Sequence, residues 1–234
     1  MLQILLAVVA LAITIILHEL AHGLVALWLG DNTARLAGRL TLNPLRHIDR
    51  RGSIIVPLVL AGGQLLTLGN VAFMYGWAKP VPVNPTYLGV GRYRNPRRLM
   101  AVVAVAGPAM NFLLALLGGL AMHAVLSLRS ALLLSFSGYF IQINILLGLF
   151  NLLPMPPLDG GRIAVGLLPL PLAMRLARVE KIGIVAVLLV LFVLPLALRQ
   201  VGIGFDPFNA AVNFILPWAE HIVLELTGNG VGNN

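Results

Sequence analysis

The chain has 234 residues, 59% of them hydrophobic and 10% charged, and its mean hydropathy of +0.94 lies far above that of a soluble domain. It has no cysteine, which excludes disulfide frameworks and thiolate metal sites, so any metal must be held by nitrogen and oxygen. The formal net charge of +8 would suit nucleic acid, yet the basic residues gather in loops without the interleaved aromatics that base stacking needs, so no nucleic-acid partner is expected.

Along the chain, the first apolar run reads as a transmembrane helix from Leu2 to Leu29, stopped by Gly30, Asp31 and Asn32. It lacks a basic leading segment and is too long for a signal peptide. Residues 33–42 alternate in part and are expected to form a short strand ending at Asn43 and Pro44. The apolar segment 53–73 is interrupted by Pro57, Gly62, Gly63 and Gly69. Arg35, Arg39, Arg46, Arg50 and Arg51 precede it, and Arg92, Arg94, Arg97 and Arg98 follow. Basic loops favour the cytoplasm and anionic lipid, so this segment is expected to enter the membrane and return.

Helices are expected next over 99–127 and 131–153, then a cytoplasmic or interfacial stretch over 160–181 carrying Arg162, Arg175, Arg178 and Lys181. Two further apolar runs cover 182–198 and 207–226, and a glycine- and asparagine-rich tail over 227–234 is expected to be disordered. The fold class is therefore an all-α polytopic membrane protein, with about five transmembrane helices, a re-entrant or irregular segment and minor β structure. One membrane-embedded domain is expected over 1–226, with a core over 1–162 and C-terminal helices over 163–226.

The chemistry announces itself in His18-Glu19-Leu20-Ala21-His22, an HExxH pattern inside hydrocarbon-like sequence. Histidines four apart share a helix face and can reach one ion, while the glutamate beside the first can contact a metal-bound water. Insertion scales disfavour a charged group at a membrane helix centre by ~2.5–3.5 kcal/mol, so chance retention here is implausible. A catalytic zinc site usually takes a third protein ligand. Asp159 is the outstanding acid, because Pro154, Pro156 and Pro157 break a helix before it and Gly160 and Gly161 free the backbone after it. For Asp159 to meet the histidines, its helix must run parallel to the first. The 99–127 helix then supplies the one crossing between them, which leaves 53–73 as non-crossing. That arrangement puts the N-terminus outside and the metal nearer the cytoplasmic face of the cell membrane.

"HELAHGLVA", "FMYGWAKPVPVNP", "AGPAMNFLLA" and "FNLLPMPPLDGGRI", in this order, resemble the site-2 protease family of intramembrane zinc proteases in its minimal form, over Ile13 to Arg162. The resemblance implies a membrane-embedded endopeptidase that acts on transmembrane protein substrates. It implies Zn2+ held by His18, His22 and Asp159, Glu19 as general base, and Asn151 holding the substrate carbonyl or oxyanion. Larger members carry a PDZ insertion and a cystathionine-synthase-like regulatory domain that this chain lacks. Asn144, Gly148 and Asn151 also form a polar and small stripe, for which an interhelical hydrogen bond is an equal reading. Gly107 and Asn111 read as small-residue packing, and His47, His123 and His221 have no ligand-like spacing. Two alternatives stand beside the protease: another membrane-anchored HExxH metalloprotease with Glu180 as third ligand, and a metal carrier or inactive scaffold using the same pocket.

Overall fold

The structure is a computed structural model and describes residues 1–68, 76–89, 95–189, 194–200, 202, 204 and 207–230. Helix α1, Leu2–Trp28, is apolar along almost its whole length. Its end is a Schellman closure, in which Gly30 (φ 101°) donates to the Leu27 carbonyl at 3.0 Å and Asp31 to that of Ala26 at 2.9 Å.

The strand expected over 33–42 is instead a helical turn, α2, Thr33–Leu36. Asp31 Oδ1 accepts from the Thr33 amide at 2.9 Å, and Gly38 (φ 63°) closes the turn with Arg39 donating to the Ala34 carbonyl at 2.9 Å. A lone ten-residue alternation has no partner edge to pair with, so local capping wins. No strand occurs among the described residues.

A π-helical turn over Arg50–Ile55 leads into α3, Val56–Leu68. Asp49 caps it, accepting from the Arg51 and Gly52 amides at 2.8 Å each, and the bond from Gly52 is the foremost reason its pKa is lowered. The expected re-entrant segment includes residues 69–75, which lie outside the described residues. Its two ends are nevertheless fixed side by side: Trp77 donates to the Gly52 carbonyl at 3.2 Å, Ser53 Oγ to the Trp77 carbonyl at 2.8 Å, and Lys79 to the His47 carbonyl at 2.8 Å. The chain leaves and returns to one place. Leu58, Val59, Leu65 and Leu66 of α3 are exposed and present an apolar face. From Gly76 to Asn84 the backbone forms an irregular strap.

Helix α4, Pro96–Ser127, starts with proline in its first turn and Asn95 accepting from the Arg98 amide at 3.2 Å. After a turn at Arg129, α5 runs Ala131–Asn151. Thr14 of α1 lies 2.9 Å from Asn144 of α5, and both helices head from there to the same end of the bundle, so they run parallel. Helix α4 is antiparallel to both. Val103 near its start packs with Ala26, and Ala115 further along packs with Ile141 and Ile145. Gly118 faces Ile141 and Gly148 faces Phe112, small residues that bring helix backbones close where lipid supplies no hydrophobic drive.

Past the proline-rich break, α6 runs Asp159–Leu167 and α7 Leu170–Leu188, followed by α8, Leu194–Gln200, and α9, Pro207–Leu226. Among the described residues, three helices, Leu2–Trp28, Pro96–Ser127 and Ala131–Asn151, are long and apolar enough to cross a membrane. Of the two further spans expected, 182–198 includes residues 190–193, outside the described set, and 207–226 carries Asn209, Asn213, Glu220, His221 and Glu225, which lower its hydropathy. Of the tail expected to be disordered over 227–234, residues 227–230 are among those described. Thr227 is buried, and Asn229 Nδ2 donates to the Gly119 carbonyl at 2.7 Å.

Candidate metal centre

His18 and His22 lie one turn apart on α1, facing α4, and Asp159 opens α6 at the end of the proline-rich break. All three side chains are buried, at 6%, 8% and 6% exposure. Nε2 of His18 and Nε2 of His22 are 3.1 Å apart, and each stands 3.2 Å from Oδ2 of Asp159. Despite that proximity, Asp159 Oδ2 has no hydrogen-bond partner with acceptable geometry. The two Nε2 atoms thus make the one hydrogen bond within the triangle, and the carboxylate oxygen crowds against them in a buried place without a partner. Nitrogen and oxygen ligands of a tetrahedral ion at ~2.0–2.1 Å stand roughly 3.3 Å apart, so this triangle fits a zinc-sized cation closely. It is the one group of three or more potential ligands among the described residues.

The surroundings aim the ligand atoms. Nδ1 of His22 lies 2.7 Å from the Val103 carbonyl, which can only accept. The proton of a neutral imidazole therefore sits on Nδ1 and leaves the Nε2 lone pair facing the triangle. Gly107 of α4 sits directly against both rings, and a Cβ added there would lie 2.6 Å from His18 Nε2. Pro108, the next residue, cannot donate to the Ala104 carbonyl one turn earlier. Gly107, expected to serve helix packing, packs α4 against the two imidazoles of α1.

Glu19 and Asn151 line the same cavity of about 280 Å³, together with Trp77, Val81 and Arg162. The backbone amide of Val81 donates to Glu19 Oε2 at 2.8 Å. Val81 stands between Pro80 and Pro82, which have no amide hydrogen, so it is the single donor in that stretch of strap. Arg39 holds the strap in turn, donating to the Lys79 carbonyl, while Asp31 Oδ2 accepts from the Asn84 amide at 2.6 Å. The amide of Asn151 donates to the Leu147 carbonyl at 3.0 Å, one turn back in α5. The side chain of Glu180, the alternative ligand, lies outside the described residues. Sequence reasoning missed the Val81 amide and the Val103 carbonyl.

A family model, Peptidase family M50, matches residues 118–194, a stretch that contains Asn151 and Asp159. The protein YwhC of Bacillus subtilis (strain 168), named as a candidate zinc metalloprotease, is 41% identical over 196 residues, 81% of this chain and 80% of that relative. Rip2 of Mycolicibacterium smegmatis carries the same kind of name and is 34% identical over 151 residues, 62% of this chain and 50% of its own length. Rip3 of Mycobacterium tuberculosis, again so named, is 42% identical over 79 residues, 33% of this chain and 20% of its own. No solved structure matches the chain.

Proposed function

Since the chain belongs to peptidase family M50, the site-2 protease family, and is a metalloprotease, we propose that it is an intramembrane zinc endopeptidase that hydrolyses peptide bonds in or near transmembrane segments of membrane proteins. His18, His22 and Asp159 hold the zinc, Glu19 is the general base, and Asn151 binds the substrate carbonyl or oxyanion. The observation that carries this reading is the triangle of ligand atoms at 3.1–3.2 Å around a carboxylate oxygen that has no other partner.

Zinc bound there supplies a Lewis acid that polarises the scissile carbonyl and lowers the pKa of a water toward ~7. Glu19 takes the proton of the attacking water and hands it to the leaving amine. The Val81 amide holds Oε2 of Glu19 and leaves the other oxygen for this transfer. A helical substrate engages its carbonyls in its own hydrogen bonds, so it must unwind locally to present the scissile one. The basic loops support an orientation with the metal-bearing end of the bundle toward the cytoplasm and the N-terminus outside the cell membrane.

Cleavage of a transmembrane peptide by the purified protein in detergent tests this. Glu19→Gln should keep its zinc and lose turnover by about 10²–10⁴-fold, the usual worth of a general base. A carrier or inactive scaffold would show no zinc-dependent cleavage to lose, and that result overturns the proteolytic reading.

A further inference from the structure

Beyond Met100 and Arg162, both of which also line the metal cavity, lies a larger cavity of about 420 Å³. Pro96 and Arg97 at the start of α4 form one wall, and Gly161, Arg162 and Val165 of α6 another. Two arginines therefore line a space whose other described lining residues are apolar, and no acidic residue is among those described. Arg162 is already engaged in an interaction. Arg97 is not satisfied: its Nη1 is buried and has no hydrogen-bond partner. A guanidinium N–H taken out of water without an acceptor costs free energy, which a carboxylate would recover once the side chain turned to meet it.

The local backbone sharpens that demand. Both arginines occupy first helical turns, where the positive end of the peptide dipoles favours acids. Yet α4 has no acid in its first turn, and the one acid in the first turn of α6, Asp159, is turned to the imidazoles.

We infer that this cavity is a substrate subsite, which receives an aspartate or glutamate carboxylate on the cytoplasmic side of the scissile segment. The inference rests on the proteolytic reading above. The shared wall favours a substrate over a free anion, because Met100 and Arg162 line both cavities and a chain lying in the metal cavity is next to this one. Planar carboxylate against a guanidinium fork is a strong and geometrically selective pair. Cytoplasmic flanks of membrane helices are usually rich in Lys and Arg, so an acidic residue there is a discriminating mark.

The test is a set of transmembrane peptides carrying Glu, Gln or Lys in turn at each position flanking the cut, assayed in phosphatidylcholine vesicles. At one position the wild-type protein should prefer Glu over Gln by roughly tenfold in kcat/KM. Arg97→Gln should bring that ratio toward one, Arg97→Glu should invert it in favour of Lys, and Arg97→Lys should keep part of it. Zinc content reports whether each variant is folded. Equal cleavage of all peptides by the wild-type protein, or an unchanged ratio in Arg97→Gln, overturns the subsite while leaving the protease standing. A dependence on added inorganic phosphate or on phosphatidylglycerol in the vesicles, in place of the peptide's acid, assigns the cavity to a free anion or a headgroup and likewise overturns it. Cleavage of no peptide at all overturns the proteolytic reading and this subsite with it.

Discussion

Gly107 shows how little space the centre leaves. Replacing a glycine in mid-helix by alanine normally stabilises the helix by roughly 0.5–1 kcal/mol. Here the added methyl would lie 2.6 Å from His18 Nε2, inside the space where the three ligand atoms meet. Gly107→Ala is therefore expected to fold as well as the parent yet lose zinc and at least about a hundredfold of its activity. Unchanged zinc content in a folded Gly107→Ala protein would show that the imidazoles are not arranged as described. At this scale the sequence was readable where chemistry is carried by rare side chains. A histidine pair at helical spacing must share a face, and a chain with 8 acidic residues offers few third ligands. Glycine gave only its size, because nothing local tells which neighbour it admits. The Val81 amide was invisible for a stronger reason: every residue except proline carries such a donor, and only tertiary placement assigns this one to Glu19.

Among the elements, the strap from Gly76 to Asn84 links the loops to the chemistry. Its backbone is tied to Gly52, His47, Arg39 and Asp31, and its remaining donor in the Pro-Val-Pro stretch orients Glu19. Val81→Pro removes that donor and leaves the side-chain ligands untouched. Hydrogen bonds to charged groups are worth ~1.5–3 kcal/mol, so kcat should fall by about 10–100-fold while zinc is retained and KM changes little. A rise in KM with kcat preserved would mean that the strap only binds substrate. Element types were legible where apolar runs were long, as in α1, α4 and α5. They were misjudged where ten residues of weak alternation met a strong local cap, at Asp31 and Gly38. The contact at Asn229 was not legible either, because Gly and Asn carry no sign of the Gly119 carbonyl of α4 that Asn229 meets.

For the molecule as a whole, the parallel course of α1 and α5 brings residues 18 and 159 together although 141 positions separate them. That course follows from one crossing by α4 and the return of the chain between Gly52 and Trp77. The charge pattern already pointed this way, since both flanks of the segment are basic; the contacts that fix its ends involve backbone groups and could not be read from composition. With no native cysteine in the chain, labelling of introduced cysteines is clean. Leu45→Cys and Leu128→Cys are both at exposed sites, 73% and 65%. A membrane-impermeant maleimide added to intact cells should label the second alone, and labelling of both or of the first alone would refute the orientation.

The account stands on one cation gripped by α1 and the start of α6. Zinc content per chain, measured on purified protein for the parent, Asp159→Ala and Glu180→Ala, tests that grip directly. The parent and Glu180→Ala should each carry about one equivalent, and Asp159→Ala should lose most of it, because two imidazoles alone leave a zinc site short of its usual three protein ligands. Zinc retained in Asp159→Ala and lost in Glu180→Ala would contradict the assignment and move the third ligand to α7.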